Sequence, residues 1–362
     1  MSVLNLIRRD LIDIKKYSPK NAEFDCRLHA NELPWSVLST CKLALNRYPE
    51  LEAQSQLQLQ LAELYQISSE QILITRGSDD AIDFLMRFFL HAREDSFMQC
   101  SPTFPMYEFY ARLQQIEMLD VPLSTENSFK FTAQQLIERW RPNCKLIMLC
   151  NPNNPTASLV ALETIADLCQ EFKNRAIIVV DEAYIEFTQT VSATTLLDSF
   201  DNLIVLRTLS KAYGLAGLRL GAMIAQPQLI EALQQLIPPY ILASPVIQLA
   251  RKALSDKNWF QEKIKLILAE RDLLTTAFKR SPWIDIVFPS QANFIFLASS
   301  YAQQLVSWFA ESKIAIRYFE KESMQHLLRI SIGNPQQNQN LLTALSSFNP
   351  LGARCAKNII YR

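Results

Sequence analysis

Glycine is scarce here: six residues in 362. Histidine is scarcer, with three isolated residues (His29, His91, His326), which argues against a metal site built on paired histidines. The seven cysteines are odd in number and none is spaced Cys-x-x-Cys. They read as buried free thiols of a reducing compartment rather than a disulfide framework. Neither sign of charge is in excess, 36 basic against 36 acidic side chains, so there is no electrostatic footprint for nucleic acid or an anionic membrane. No apolar run approaches the roughly 20 residues of a membrane span. The amino-terminal stretch MSVLNLIRRDLIDIKKYSP mixes acids with bases and lacks the core of a signal peptide. Repeats and low-complexity tracts are absent. With 49% hydrophobic and 20% charged residues, the expectation is a soluble, cytoplasmic globular protein with an ample core. Its length suggests two or three domain-sized units.

What glycine there is has been concentrated. Three of the six fall within Ser210–Gly221, SKAYGLAGLRLG. Glycine serves where a backbone must adopt positive φ or approach another group closely. The run also holds Lys211, Ser210 before it and Arg219 eight residues on: an amine able to attach to an aldehyde, and two groups for a phosphate. A basic loop with a solvated lysine is the plain alternative. Upstream, Ala176–Val180 is a short β-branched run of the kind that forms a buried parallel strand, and it ends in Asp181-Glu182-Ala183-Tyr184. A carboxylate there lies at the sheet edge where open α/β folds bind ligands. Asp181 can keep a pyridine nitrogen protonated, and Tyr184 can hydrogen-bond a phenolic oxygen, although capping the next segment is another use for an Asp. A further strand-like run, Lys145–Cys150, leads into the stiff turn Asn151-Pro152-Asn153-Asn154-Pro155-Thr156, with Asn154 as an amide donor.

In this order the motifs resemble the aspartate-aminotransferase-like superfamily of pyridoxal 5′-phosphate (PLP) enzymes, fold type I, and within it the histidinol-phosphate aminotransferase branch. The matching segments are Leu28–Glu32 (LHANE), Leu45–Glu50 (LNRYPE), Thr75–Asp80 (TRGSDD), Ser101–Tyr107 (SPTFPMY), Pro152–Thr156 (PNNPT), Asp181–Phe187 (DEAYIEF), Arg207–Gly221 and Leu328–Gly333 (LRISIG). They run from near residue 17 to about residue 345; LNRYPE and DEAYIEF point most to this branch.

The expected fold is α/β. Strand-like runs at Ile72–Thr75, Phe97–Cys100, Lys145–Cys150, Ile177–Val180, Leu203–Arg207 and Gly221–Ala225 alternate with helical patterns such as Asp79–His91 and Leu162–Phe172. This predicts a mainly parallel sheet covered on both faces, which the resemblance makes seven-stranded. A helical stretch from about Pro245 to Arg280, bending near Ser255-Asp256, leads into shorter strands at Ile284–Phe288, Phe294–Leu297, Ala315–Arg317 and Leu327–Ile332, with helices at Ala302–Glu311 and Gln336–Phe348. The resemblance implies an N-terminal segment, 1–35, packing with the small domain; a large PLP-binding domain, 36–245; and a smaller α/β domain, 246–348. The basic tail, 349–362, has no counterpart in the family pattern.

For the site, Gly77-Ser78-Asp79 joins a strand to a helix start, where backbone N–H groups and the dipole suit a phosphate; Ser78 could equally cap that helix. The resemblance implies that Ser78, Asp79, Ser210 and Arg219 hold the PLP phosphate, Lys211 carries the cofactor and moves the substrate proton, and Asp181 holds the ring nitrogen. Tyr184 and Asn154 are further implied cofactor contacts, Tyr184 at the phenolic oxygen. Phe104, where the branch usually has tyrosine, lies over the ring and keeps the aromatic face but not the hydroxyl. It further implies that Tyr48 reaches the phosphate of the neighbouring subunit, hence a homodimer. Arg317 and Arg329, with Tyr17, Asn31 and Tyr240, are the implied binders of the substrate anion, with L-histidinol phosphate and 2-oxoglutarate/glutamate as substrates. An aromatic amino-acid aminotransferase and, further off, a decarboxylase of a phosphorylated amino acid are the alternatives. A PLP-binding transcriptional regulator is not expected, since fewer than 20 residues precede Tyr17. One departure from the family turn is Ala157, where glycine is usual. It raises the question of strain, or of a narrowed substrate pocket.

Overall fold

The computed structural model of the chain describes residues 2–11, 45 and 47–350. A seven-stranded sheet is built from β1 (Ile72–Thr75), β2 (Ser96–Gln99), β3 (Glu117–Asp120), β4 (Cys144–Cys150), β5 (Ile177–Asp181), β6 (Leu203–Thr208) and β7 (Gly221–Ile224), in the order β1-β7-β6-β5-β4-β2-β3. β2 pairs in parallel with β3 and β4, and β4–β5 and β5–β6 are parallel too. Only β7 runs against the rest, antiparallel to both β6 and β1. All residues of β1, β5 and β6 are buried. Both faces are covered, so these strands read as continuous apolar runs rather than alternating ones.

On one face Ile74, Ile147, Ile178 and Val205 pack under α1 (Leu51–Tyr65), α5 (Leu162–Glu171) and α7 (Ser244–Leu254). On the other, Leu73, Met148, Val179 and Ile204 pack under α2 (Ser78–Phe89), α3 (Met106–Leu113) and α6 (Pro227–Gln234); α4 (Ala133–Arg139) lies beside α5. β3 lies outside the expected strands. It is the sheet's edge and only Leu119 in it is buried, so no apolar run marks it.

A second, four-stranded sheet is antiparallel throughout: β8 (Ile286–Val287), β9 (Phe294–Ala298), β10 (Arg317–Tyr318) and β11 (Leu327–Ser331), ordered β10-β11-β9-β8. Leu274 and Phe278 of α8 (Lys257–Arg280), Leu305 and Phe309 of α9 (Ala302–Glu311), and Leu341 and Leu345 of α10 (Pro335–Ser346) share its core. The expected long helix is two, α7 and α8, parted at Ser255-Asp256, where Asp256 caps α8 through Trp259 N–H.

Two features of the packing bear on the expected domain bounds. Of residues 1–35, expected beside the smaller unit, only 2–11 are described; there Val3 and Ile7 are buried with the α2–α6 face of the large sheet, and Arg8 N–H donates to Phe88 O (2.9 Å). α7 and Phe260 at the start of α8 belong to the large core, and only the later turns of α8 enter the small one.

Candidate active site

The carboxyl edge of the large sheet gathers polar side chains that lie far apart in the chain. β1 leaves the sheet through Gly77, at φ +81°, and enters α2 at Ser78. Gly77 occupies the cap position, so Ser78 is the first helical residue and not the cap. Because β7 is reversed, its first residue lies at the same edge: Gly221 pairs with Thr75 and with Thr208. A Cβ on Gly221 would sit 2.7 Å from the Gly77 carbonyl carbon and 2.9 Å from Arg207 O. Only glycine permits that approach, and it brings Arg219 beside the α2 N-terminus.

Arg219 Nη2 donates to Asp79 Oδ2 (2.9 Å) and Nη1 to Ser210 Oγ (3.2 Å). Ser210 is turned inward by Thr208, whose Oγ1 accepts from Ser210 N–H (3.2 Å). The result is a guanidinium, a hydroxyl and the first N–H groups of a three-turn helix on one concave edge, a site for a phosphate.

Asp181 ends β5 and is fully buried. Its Oδ2 accepts from Tyr107 Oη (2.8 Å), and its Oδ1 takes the local capping bond from Ala183 N–H (3.2 Å). Burial pushes its carboxyl up to about 6, against the lowering effect of Tyr107 and Ala183. Tyr184 Oη accepts from Asn154 Nδ2 (3.2 Å), and Asn154 Oδ1 accepts from Arg329 Nη1, which ties the second sheet to the first. Lys211 stands exposed in the cleft, its Nζ 5.7 Å from the Tyr184 ring centroid. Desolvation, then the Arg329 charge, lower its pKa and favour the neutral amine.

One cleft is lined by Ser78, Asp79, Phe104, Asn154, Asp181 and Tyr184, and equally by Ser210, Lys211 and Arg219. These are nine of the ten expected cofactor contacts. The tenth, Tyr48, is half-exposed and does not line its own chain's cleft; it stacks on Tyr240 with centroids 4.7 Å apart. Arg317 opens β10 rather than ending a strand and faces Arg329 of β11 directly across the pair. Tyr17 and Asn31 lie outside the described residues. Ala157 does have positive φ (+58°), but it is buried in the large core and does not line the cleft, so it does not narrow it.

Sequence reasoning missed Tyr107. It stands three residues beyond Phe104, within one helical turn, and a buried tyrosine hydroxyl must find a partner; those two facts were its signal. Cys150 and Thr208, also in the cleft, carried none.

A family model for aminotransferase class I and II matches residues 33–345. The chain belongs to that family. It is 50% identical, over the whole of both chains, to histidinol-phosphate aminotransferase 1 of Legionella pneumophila (strain Paris). It is 34% identical, over 95% of each chain, to the histidinol-phosphate aminotransferase of Francisella philomiragia subsp. philomiragia. Among solved structures, the histidinol-phosphate aminotransferase from Sinorhizobium meliloti in complex with pyridoxal 5′-phosphate superposes with a TM-score of 0.75 at 24% identity, covering 83% of this chain and 82% of that one. The family depends on pyridoxal 5′-phosphate, and the donor set of the cleft fits it: phosphate donors at one end, a buried carboxylate, a tyrosine–amide pair, an aromatic face and an amine with a lowered pKa.

Proposed function

We propose that the protein is a PLP-dependent transaminase interconverting L-histidinol phosphate and 2-oxoglutarate with imidazole acetol phosphate and L-glutamate, a step of histidine biosynthesis. Bound in the cleft, PLP supplies an aldehyde for amines and a ring that takes up electrons. The chain's own residues do the rest. Ser78, Asp79, Ser210 and Arg219 would hold the phosphate end, and Phe104 would offer the ring an aromatic face. Asp181, anionic above about pH 6, keeps the ring nitrogen protonated. Asn154 and Tyr184 orient the phenolic oxygen. Lys211 would carry the cofactor through its amine and would handle the proton at the substrate Cα; its lowered pKa leaves more of it neutral for that work.

The observation that carries the substrate reading is the cross-strand pair Arg317–Arg329. Like charges opposed in an antiparallel ladder repel; the Arg329 pKa is lowered chiefly by burial, with the Arg317 charge adding a smaller effect in the same direction. A phosphate dianion between them turns the repulsion into two charge-assisted contacts, whereas a carboxylate needs only Arg329. Tyr240, Tyr17 and Asn31 would complete that slot. The test compares steady-state transamination of histidinol phosphate and phenylalanine with 2-oxoglutarate as acceptor. Histidinol phosphate should have the higher kcat/KM, and Arg317→Ala should harm it more than it harms glutamate in single-turnover conversion. Equal losses, or preference for phenylalanine, overturn the assignment in favour of an aromatic aminotransferase.

The proposed active form is a homodimer in which Tyr48 serves the neighbour's cleft. Its exposure and its absence from its own cleft support this. Mixing Tyr48→Phe with Lys211→Ala protein should then restore activity through one intact site per hybrid. Subunit exchange without recovery rejects it. Within each chain, the division between large and small units is placed along α8.

A further inference from the structure

Beneath the cleft, away from the proposed substrate slot, lies a buried ionic cluster that the chemistry above does not use. Arg207, one residue before the end of β6, has a side chain only 8% exposed. Its Nη2 contacts Glu186 Oε1 at 2.7 Å, its Nη1 reaches Glu182 Oε2 at 3.4 Å, and its guanidinium carbon sits 4.5 Å over the Tyr65 ring of α1. Glu182 is wholly buried and also accepts from Ser192 Oγ (2.6 Å) and Ala193 N–H (2.7 Å). Burial and, next, the facing Glu186 carboxylate raise the pKa of the Tyr213 hydroxyl.

Each partner is chained to a group in the cleft. Glu182 follows Asp181 directly. Glu186 is two residues beyond Tyr184, in the same short helical turn. Tyr213 is two residues beyond Lys211, in a loop closed by Gly214 N–H to Lys211 O (3.2 Å) and Leu215 N–H to Leu209 O (3.0 Å). One planar cation thus binds both carboxylates of the segment that carries Asp181 and Tyr184, and it stands on β6, the strand that leads directly into the Lys211 loop. A guanidinium does this better than an ammonium, because its fork can hold two carboxylates in fixed directions. One cation against two carboxylates is a poor way to gain stability, since desolvation offsets the attraction. The geometry is better explained by registry.

We infer that Arg207 is a positioning residue for the transaminase reading given above: through Glu182 and Glu186 it holds Asp181, Tyr184 and the Lys211 loop at their working separations without touching substrate or cofactor. Misplacement of reacting groups by about 1 Å can cost 10²-fold in rate.

The test uses Arg207→Lys, which keeps the buried charge and gives up the fork. In the cofactor-free protein, hydrogen exchange of the segments around Glu182 and Tyr213 should quicken about tenfold, with no matching change in the small sheet. In the loaded enzyme kcat should fall roughly 10- to 100-fold while KM for both substrates stays within about twofold. A folded Arg207→Lys protein with unchanged kcat and exchange overturns the inference, as does a loss confined to KM. Should Arg207→Lys not fold, Glu186→Gln decides. It leaves Arg207 and Glu182 a balanced pair, and wild-type kcat in that variant overturns the inference. If the wild type transaminates phenylalanine instead of histidinol phosphate while the exchange and kcat effects persist, the substrate reading falls and Arg207's role stands.

Discussion

Deleting a single oxygen atom from Tyr107 measures how Asp181 is held. Tyr107→Phe keeps a fully buried ring and its edge contact to Phe104 (centroids 5.7 Å apart), but removes the donor 2.8 Å from Asp181 Oδ2. A hydrogen bond to a charged group contributes about 1.5–3 kcal/mol, and one pKa unit corresponds to about 1.4 kcal/mol. Burial already raises Asp181 to about 6, and Tyr107 is the largest effect holding it down, ahead of Ala183 N–H and the Lys211 charge. Its loss should raise the midpoint further, by roughly one to two units. At pH 7 about nine in ten wild-type carboxylates are ionised; in the variant the fraction falls to between about half and about one in ten. Carbon-13 labelling of aspartate side chains in the cofactor-free protein, with Asp181→Asn to assign the resonance, follows this directly. The groups facing Asp181 are Tyr107 and Cys150, with Asp79 and Lys211 further off, and none of the last three is altered. A midpoint that does not move, in a variant whose fold is intact, refutes the reasoning.

Three further outcomes are expected. Borohydride reduction of the PLP-loaded protein should fix the cofactor on Lys211, identified by peptide mass and not on Lys173 or Lys252; Lys211→Ala should retain PLP yet lose turnover by several orders of magnitude, since carrier and base go together. Asp181→Asn should lose most activity but stabilise the cofactor-free protein at neutral pH. The folded carboxyl, at about 6 against 3.8, binds its proton more tightly than the unfolded one, so stability falls as pH rises from about 4 to 6, by roughly 3 kcal/mol. Urea midpoints of wild type and variant should therefore part between about pH 4 and 6, stay apart above that, and converge near pH 3.5. Ala157→Gly should leave KM unchanged and shift stability by no more than about 1 kcal/mol, because relief at φ +58° is offset by a lost buried methyl worth about 0.8 kcal/mol.

The strands that carry the site were legible because they are buried on both faces. Ile177–Asp181 and Leu203–Thr208 have no exposed position, and their apolar runs stop only at Asp181 and Arg207. The same physics hides β3, whose edge position tolerates Glu117 and Asp120 at its ends. It also hides β8 and β10, two residues each, which are too short to show a period. The placement of Val3 and Ile7 was illegible for another reason. Four apolar residues near an amino terminus fit any open apolar face, and only tertiary packing selects one.

For the site, local chemistry and long-range geometry part company. Lys211, Asp181 and Asn154 could be read from their own neighbours, since Asp181 ends a strand and the other two lie in the turns just beyond one. Tyr107 and Arg207 could not be assigned that way. Tyr107 meets Asp181 74 residues away, and Arg207 meets Glu182 25 residues away. Their meaning is set by the reversal of β7 and the stacking of β4, β5 and β6, which bring loops of remote sequence to one edge. Gly221 shows how tightly that edge is drawn: at 2.7 Å from Gly77, even a methyl group would push apart the two turns that place Arg219 beside the helix start. A chain with six glycines has put two of them in contact there, so the scarcity itself marks the point at which phosphate donors from both ends of the large unit must converge.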